Sequence, residues 1–107
     1  RPARNLGYRA AAHYKQGNLH EYKTLMEELR IQASTSPIGS PAFHLAMVNA
    51  QTGDHDTAFE WLDKAIAEKE VELYWLKVEP PFRPLYDDPR WEALMEEMGF
   101  NDIPKTL

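Results

Sequence analysis

The stretch AMVNAQTGDHDTAFEWLDKAIAEKE, Ala46 to Glu70, permits few arrangements. Ala58, Trp61, Leu62 and Ala65 recur at spacings of three and four, which is one face of an α-helix. Phe59 and Ile66 widen that face to a second side, so the helix must pack against two neighbours. Asp54 is placed to cap its N-terminus, and Asp56 adds negative charge to its first turn. Upstream, Ser40-Pro41 predicts an N-cap followed by proline at the first helical position. Leu45, Ala46 and Val48 then give the apolar face of a helix ending near Thr52, and Gly53 supplies the stop. The segment therefore reads as two helices folded back on each other through a Gly-Asp turn.

The first third of the chain repeats this plan. Residues 3–16 are helix-permissive and rich in Ala and Tyr, and Gly17 ends them. Asn18 with Glu21 resembles a capping box, and Tyr22, Leu25, Met26 and Leu29 follow at helical spacing. ASTSPIGSP, Ala33 to Pro41, is a loop by composition. VELYWLK allows one or two helical turns, whereas the prolines of VEPPFRPLYDDP exclude a regular helix. Asp88-Pro89 opens a last helix with Trp91, Leu94, Met95 and Met98 on one face and Gly99 at its end. Nothing alternates at period two, so the expected class is all-α with about five helices.

The turn glycines Gly17 and Gly53 stand 36 residues apart. The second unit resembles a tetratricopeptide repeat, a helical hairpin with a period of about 34 residues. Leu45-Ala46 stands at its Leu-Gly pair, Gly53-Asp54 at its turn, Ala58 and Ala65 at its small positions and Leu62 at the large one between them. It departs from the pattern with Ala42 for Trp, Asn49 for Tyr and Glu70 for Pro. In the first unit Leu6, Ala10 and Gly17 fit, while Arg9, His13 and Tyr22 depart. The tail, LYWLKVEPPFRPLYDDPRWEALMEEMGF, is similar to the segment closing such arrays in bacterial multidomain proteins. The resemblance implies a short solenoid of antiparallel helical hairpins. Residues 1–36 would form the first hairpin, 37–70 the second, and 71–107 a Pro-rich connection with a capping helix that covers the open apolar end. Phe82, Leu85 and Tyr86 are expected to pin the connection beneath that helix.

Catalytic and metal chemistry find little footing. The chain has no cysteine, which removes thiolate sites, and no two of its four histidines stand at the i, i+4 spacing of a helical metal pair. His13 reads as a core-edge residue, and His20 and His55 as solvent-facing. Glu27-Glu28, Asp87-Asp88 and Glu96-Glu97 are adjacent residues that point apart on a helix, so they read as solvated faces. No Gly-rich phosphate loop or nucleophile elbow is present. No enzyme, cofactor or metal is expected. The net charge of −5 argues against nucleic acid and anionic membrane surfaces as partners of this segment. No stretch approaches the roughly 20 apolar residues of a membrane span. A soluble segment is expected, cytoplasmic in preference to periplasmic. Arg1-Pro2-Ala3 has neither an initiator Met nor a signal-peptide layout, so the chain is expected to be part of a larger protein.

The function implied by the resemblance is binding of a protein or peptide in the concave groove lined by the first helix of each hairpin. By position the groove would show Arg4, Tyr8, Ala11, Tyr14 and Lys15 from the first unit and Phe43, His44, Met47 and Gln51 from the second. Phe43 and Met47 either line it or pack under the first unit or the tail. Gly7, Ala11, Phe43 and Met47 stand where a clamp for a C-terminal carboxylate would sit, so an aromatic or apolar ligand fits better. The alternative is homodimerisation, the module serving as an assembly element of its parent chain. Trp61, Trp75 and Trp91 lie on or beside apolar faces and are expected in the core.

Overall fold

Gly17 and Gly53 stop their helices in the left-handed conformation, with φ of 78° and 88°. The computed structural model describes residues 1–99, and among these the fold is all-helical. The helices are α1 (Ala3–Lys15), α2 (Leu19–Thr35), α3 (Pro41–Thr52), α4 (His55–Ala67) and α5 (Pro89–Glu97). Two 3-10 turns, Val71–Trp75 and Pro80–Leu85, connect α4 to α5. Residues 100–107 of the expected capping segment lie outside the described residues.

The two hairpin turns have one geometry. The Asn18 amide donates to the His13 carbonyl at 2.9 Å, and the Asp54 amide donates to the Asn49 carbonyl at 3.0 Å. Both are the six-to-one closure of a helix ended by a left-handed residue. The Glu70 amide makes the same bond to the Ala65 carbonyl at 3.0 Å, with Lys69 in the left-handed position at φ 54°. Asp54 caps α4 by accepting the Thr57 amide, and Asp88 caps α5 by accepting the Arg90 amide.

The other two expected caps take different forms. Asn18 makes no capping bond to α2; its side-chain amide donates instead to Gln16 and faces His13. Ser40 precedes α3 but is held at φ 55°, which turns its hydroxyl away from the helix. The Glu70 carboxylate does that work from across the fold, accepting the Ala42 and Phe43 amides at 3.0 and 2.7 Å. The Ser40 hydroxyl in return accepts the Glu72 amide at 3.0 Å.

α3 is the central helix, packed against α1, α2, α4 and the Pro80–Leu85 turn. Every residue from Pro41 to Ala50 is consequently buried. One side meets Leu6, Ala10, Leu25, Met26 and Leu29 through Leu45 and Val48. The other meets α4 and the tail through Phe43, Ala46, Met47 and Ala50. Ala58 and Ala65 are fully buried, as their small size at a helix contact requires. Phe82 and Leu85 are likewise fully buried, while Tyr86 stays 40% exposed and donates its hydroxyl proton to the Lys77 carbonyl.

A third recurrence emerges in the packing. Tyr22, Leu25, Met26 and Leu29 of α2 correspond to Ala58, Trp61, Leu62 and Ala65 of α4 and to Trp91, Leu94, Met95 and Met98 beside α5, each wholly or partly buried. α5 is fastened to α4 at its start: Arg90 pairs with Asp88 and Asp56, each at 2.8 Å, and lies over the Phe59 ring.

Candidate functional site

The expected groove divides into an exposed and a buried half. On α1, Tyr8, Tyr14 and Lys15 are exposed, as is Arg4, whose guanidinium sits 5.5 Å from the centre of the Tyr8 ring. On α3, Phe43, His44 and Met47 are 1–2% exposed and present no surface to a ligand. Their place on an open groove is corrected by the tail, which covers α3: Phe82 packs on Phe43 with ring centres 5.1 Å apart. Tyr14 is not beside them but pairs with Tyr22 across the first hairpin at 5.1 Å. Gln51 is part-buried and donates to the Met47 carbonyl. Among the described residues, Phe43, His44 and Met47 floor no open groove, because α3 has neighbours on both of the sides those residues occupy.

The exposed apolar residues lie elsewhere. The 3-10 turn Val71–Trp75 and its extension bury Leu73 and Leu76, three residues apart and eclipsed in this geometry. The residues between and around them face outward. Val71, Tyr74 and Val78 are 83%, 79% and 67% exposed, and Trp75 is 51% exposed rather than in the core. The Tyr74 and Trp75 rings meet edge to face at 5.6 Å. The Ser40–Glu72 bond ties the α2–α3 loop, with its exposed Ile38, to this turn. Val71, Tyr74, Trp75 and Val78 are thus exposed within one short stretch of chain that also carries Glu72 and Lys77.

Two buried polar groups complete the picture. Burial lifts the Glu70 carboxyl above its ordinary value, and the amides of Phe43 and Ala42 pull it partly back. Among the described residues, neither of the buried ring nitrogens of His44 has a hydrogen-bond partner. Burial, reinforced by the Arg4 charge, pushes its imidazole down to about 4. Its Cβ lies 3.3 Å from where a side chain at Gly7 would begin, so glycine there lets α1 and α3 approach closely. His13 and His55 are part-buried and His20 is exposed.

Among the described residues, no group of three or more His, Asp and Glu side chains is arranged to hold a metal ion. Nor is any helix among them long and apolar enough to cross a membrane. A cleft of about 190 Å³ between α4 and α5, lined by Phe59, Asp63, Arg90, Ala93, Leu94 and Glu97, is bridged by the Arg90 side chain and serves the α4–α5 junction. No family model, curated protein or solved structure matches the chain.

Proposed function

We propose that the chain is a tetratricopeptide-like module that binds a protein or peptide partner and carries no catalytic chemistry of its own. The repeat reading is supported by the shared geometry of the two hairpin turns and by the core register that recurs through α2, α4 and α5. The binding reading rests on one observation, the exposed Tyr74–Trp75 pair with Val71 and Val78 around it. Clustered aromatic anchors with polar neighbours are the usual make-up of an interaction hot spot. Tyr8 and Arg4 on α1 offer a second, smaller aromatic contact. The partner is a peptide or protein segment with apolar side chains, and self-association through the same strip is the assembly alternative.

The test is a random-peptide display selection on the full chain, with a Tyr74→Ser/Trp75→Ser variant as counter-target. Both side chains are largely in solvent, so the variant should melt within a few degrees of the parent. Peptides that bind the parent at least tenfold tighter than the variant support the reading. Selected peptides that bind both alike, or no enrichment with a parent chain that sediments as a monomer, refute it. A parent dimer that the variant abolishes assigns the strip to assembly.

A further inference from the structure

His44 is a costly residue to bury where it is. In its neutral form the imidazole has one N–H to donate and one nitrogen to accept, and neither finds a partner among the described residues. Leaving such groups unpaired is rare in a packed interior. The ring stands at the seam between the first hairpin and α3: Gly7 of α1 abuts its Cβ, the Tyr8 ring meets it edge-on at 6.5 Å, and the Phe43 ring backs it at 5.3 Å. We infer that His44 is an acid-operated latch: protonation of its imidazole parts the α1–α2 hairpin from α3.

The surroundings tolerate the neutral ring and oppose the cation. From α1 the facing groups are Arg4, a positive charge, and Tyr8. His44 lies in the first turns of α3, whose N-terminal end is itself partly positive. The carboxylate at that end, Glu70 from the turn after α4, is committed to the Ala42 and Phe43 amides and makes no bond to the imidazole. α4 meets α3 through Ala58, Leu62 and Ala65. α2 brings Tyr22, whose hydroxyl neighbours Thr52 at the far end of α3. The Pro80–Leu85 turn contributes Phe82 and leaves Arg83 in solvent. An imidazolium at this point therefore gains its hydrogen bonds and hydration by leaving the seam.

The sign follows from proton linkage. The closed form holds the imidazole down at about 4, against 6.5 for the free side chain, so opening takes up a proton between these values. The seam is secure above 6.5 and loosens as the pH falls from 6.5 towards 4. Between pH 7.5 and 5.0 this raises the opening constant about 30-fold.

Amide hydrogen exchange on the full chain, corrected for the intrinsic effect of pH, reads the opening directly. The expected result is that peptides covering α1 and the first half of α3 lose about 30-fold protection from pH 7.5 to 5.0, and α5 markedly less. His44→Leu and His44→Phe remove that loss, whereas Glu70→Gln keeps it. The latch is overturned if the His44 variants retain the pH dependence, if Glu70→Gln abolishes it, or if α5 loosens to the same extent, since that is global unfolding. Should neither His44 variant fold, imidazole NMR of the parent chain decides: a His44 titration near the free value refutes the inference, and one held well below it with the seam opening in step supports it.

Discussion

Replacing Glu70 with alanine tests how the centre of the fold is held. The carboxylate, 4% exposed, places Oε1 2.7 Å from the Phe43 amide nitrogen and Oε2 3.0 Å from that of Ala42. Both amides belong to the first turn of α3, where intrahelical partners are lacking, and both residues are no more than 1% exposed. Glu70→Ala leaves two buried donors unmatched at about 1–3 kcal/mol each, less what an entering water restores, so a loss of about 2–4 kcal/mol is expected. A domain of this size has roughly 5–15 kcal/mol of stability in all. With a urea slope of about 1–3 kcal/mol per molar, the unfolding midpoint should fall by about 1–2 M, followed by tryptophan fluorescence at pH 7. Glu70→Gln keeps an oxygen for one amide and escapes the desolvation of a carboxylate, so it should lose at most about 1 kcal/mol. Glu70 also has its own pH signature. Because burial raises its carboxyl, the folded chain keeps that proton to higher pH than the unfolded chain does. Its contribution is greatest in acid and declines as pH rises from 4.5 through the folded value, opposite in sign to that of His44. An alanine variant within about 0.5 kcal/mol of the parent would refute the reasoning, because the α3 amides would then be satisfied without the carboxylate.

Two further substitutions probe the packing. Phe43→Ala removes a ring enclosed by Phe82 and the α4 side of the core, and calorimetry should register a loss of about 3–5 kcal/mol; retention of the parent melting temperature would place Phe43 on a surface after all. Lys69→Gly relieves a non-glycine residue at φ 54° and should stabilise the chain by about 1 kcal/mol in a urea titration, with destabilisation showing that the Lys69 side chain contributes contacts worth more than the strain.

The helices were legible in the sequence because their apolar faces repeat at three and four and their ends carry Gly, Asp or Pro. Tyr22, Leu25, Met26 and Leu29, the Ala58–Ala65 set and the Trp91–Met98 set all turn toward the core. The groove was not legible, because exposure on a central helix depends on what lies over it. Phe43 and Met47 sit off the Leu45–Val48 side of α3, and position alone does not say that Phe82 and Leu85 come down on them. The outward strip did leave a signal: Leu73 and Leu76 are three apart, so in a 3-10 turn they share one side and drive Tyr74 and Trp75 to the others. Applying the α-helical period there assigns Trp75 to the core. The Glu70 cap had no local signature, since a cap delivered from another element depends on tertiary approach. His44 stands in the apolar run Ala42 to Val48, which points to burial, but the small Gly7 that admits its side chain lies on a different helix.

The exchange of caps between Ser40 and Glu70 bears on the order in which the chain assembles. The first turn of α3 takes its acceptor from 28 residues further along, and the Ser40 hydroxyl is answered 32 residues away. A nascent chain that has reached only Thr52 holds α3 with its leading amides open, and the turn cannot lock until α4 has wound and Lys69 has reversed the backbone. The closing of α3 is thus a late event tied to the completion of α4, and the two helices should form as one cooperative step rather than in sequence. Kinetically, substitutions at Glu70 should then accelerate unfolding far more than they slow folding, which marks this junction as the clasp fastened last.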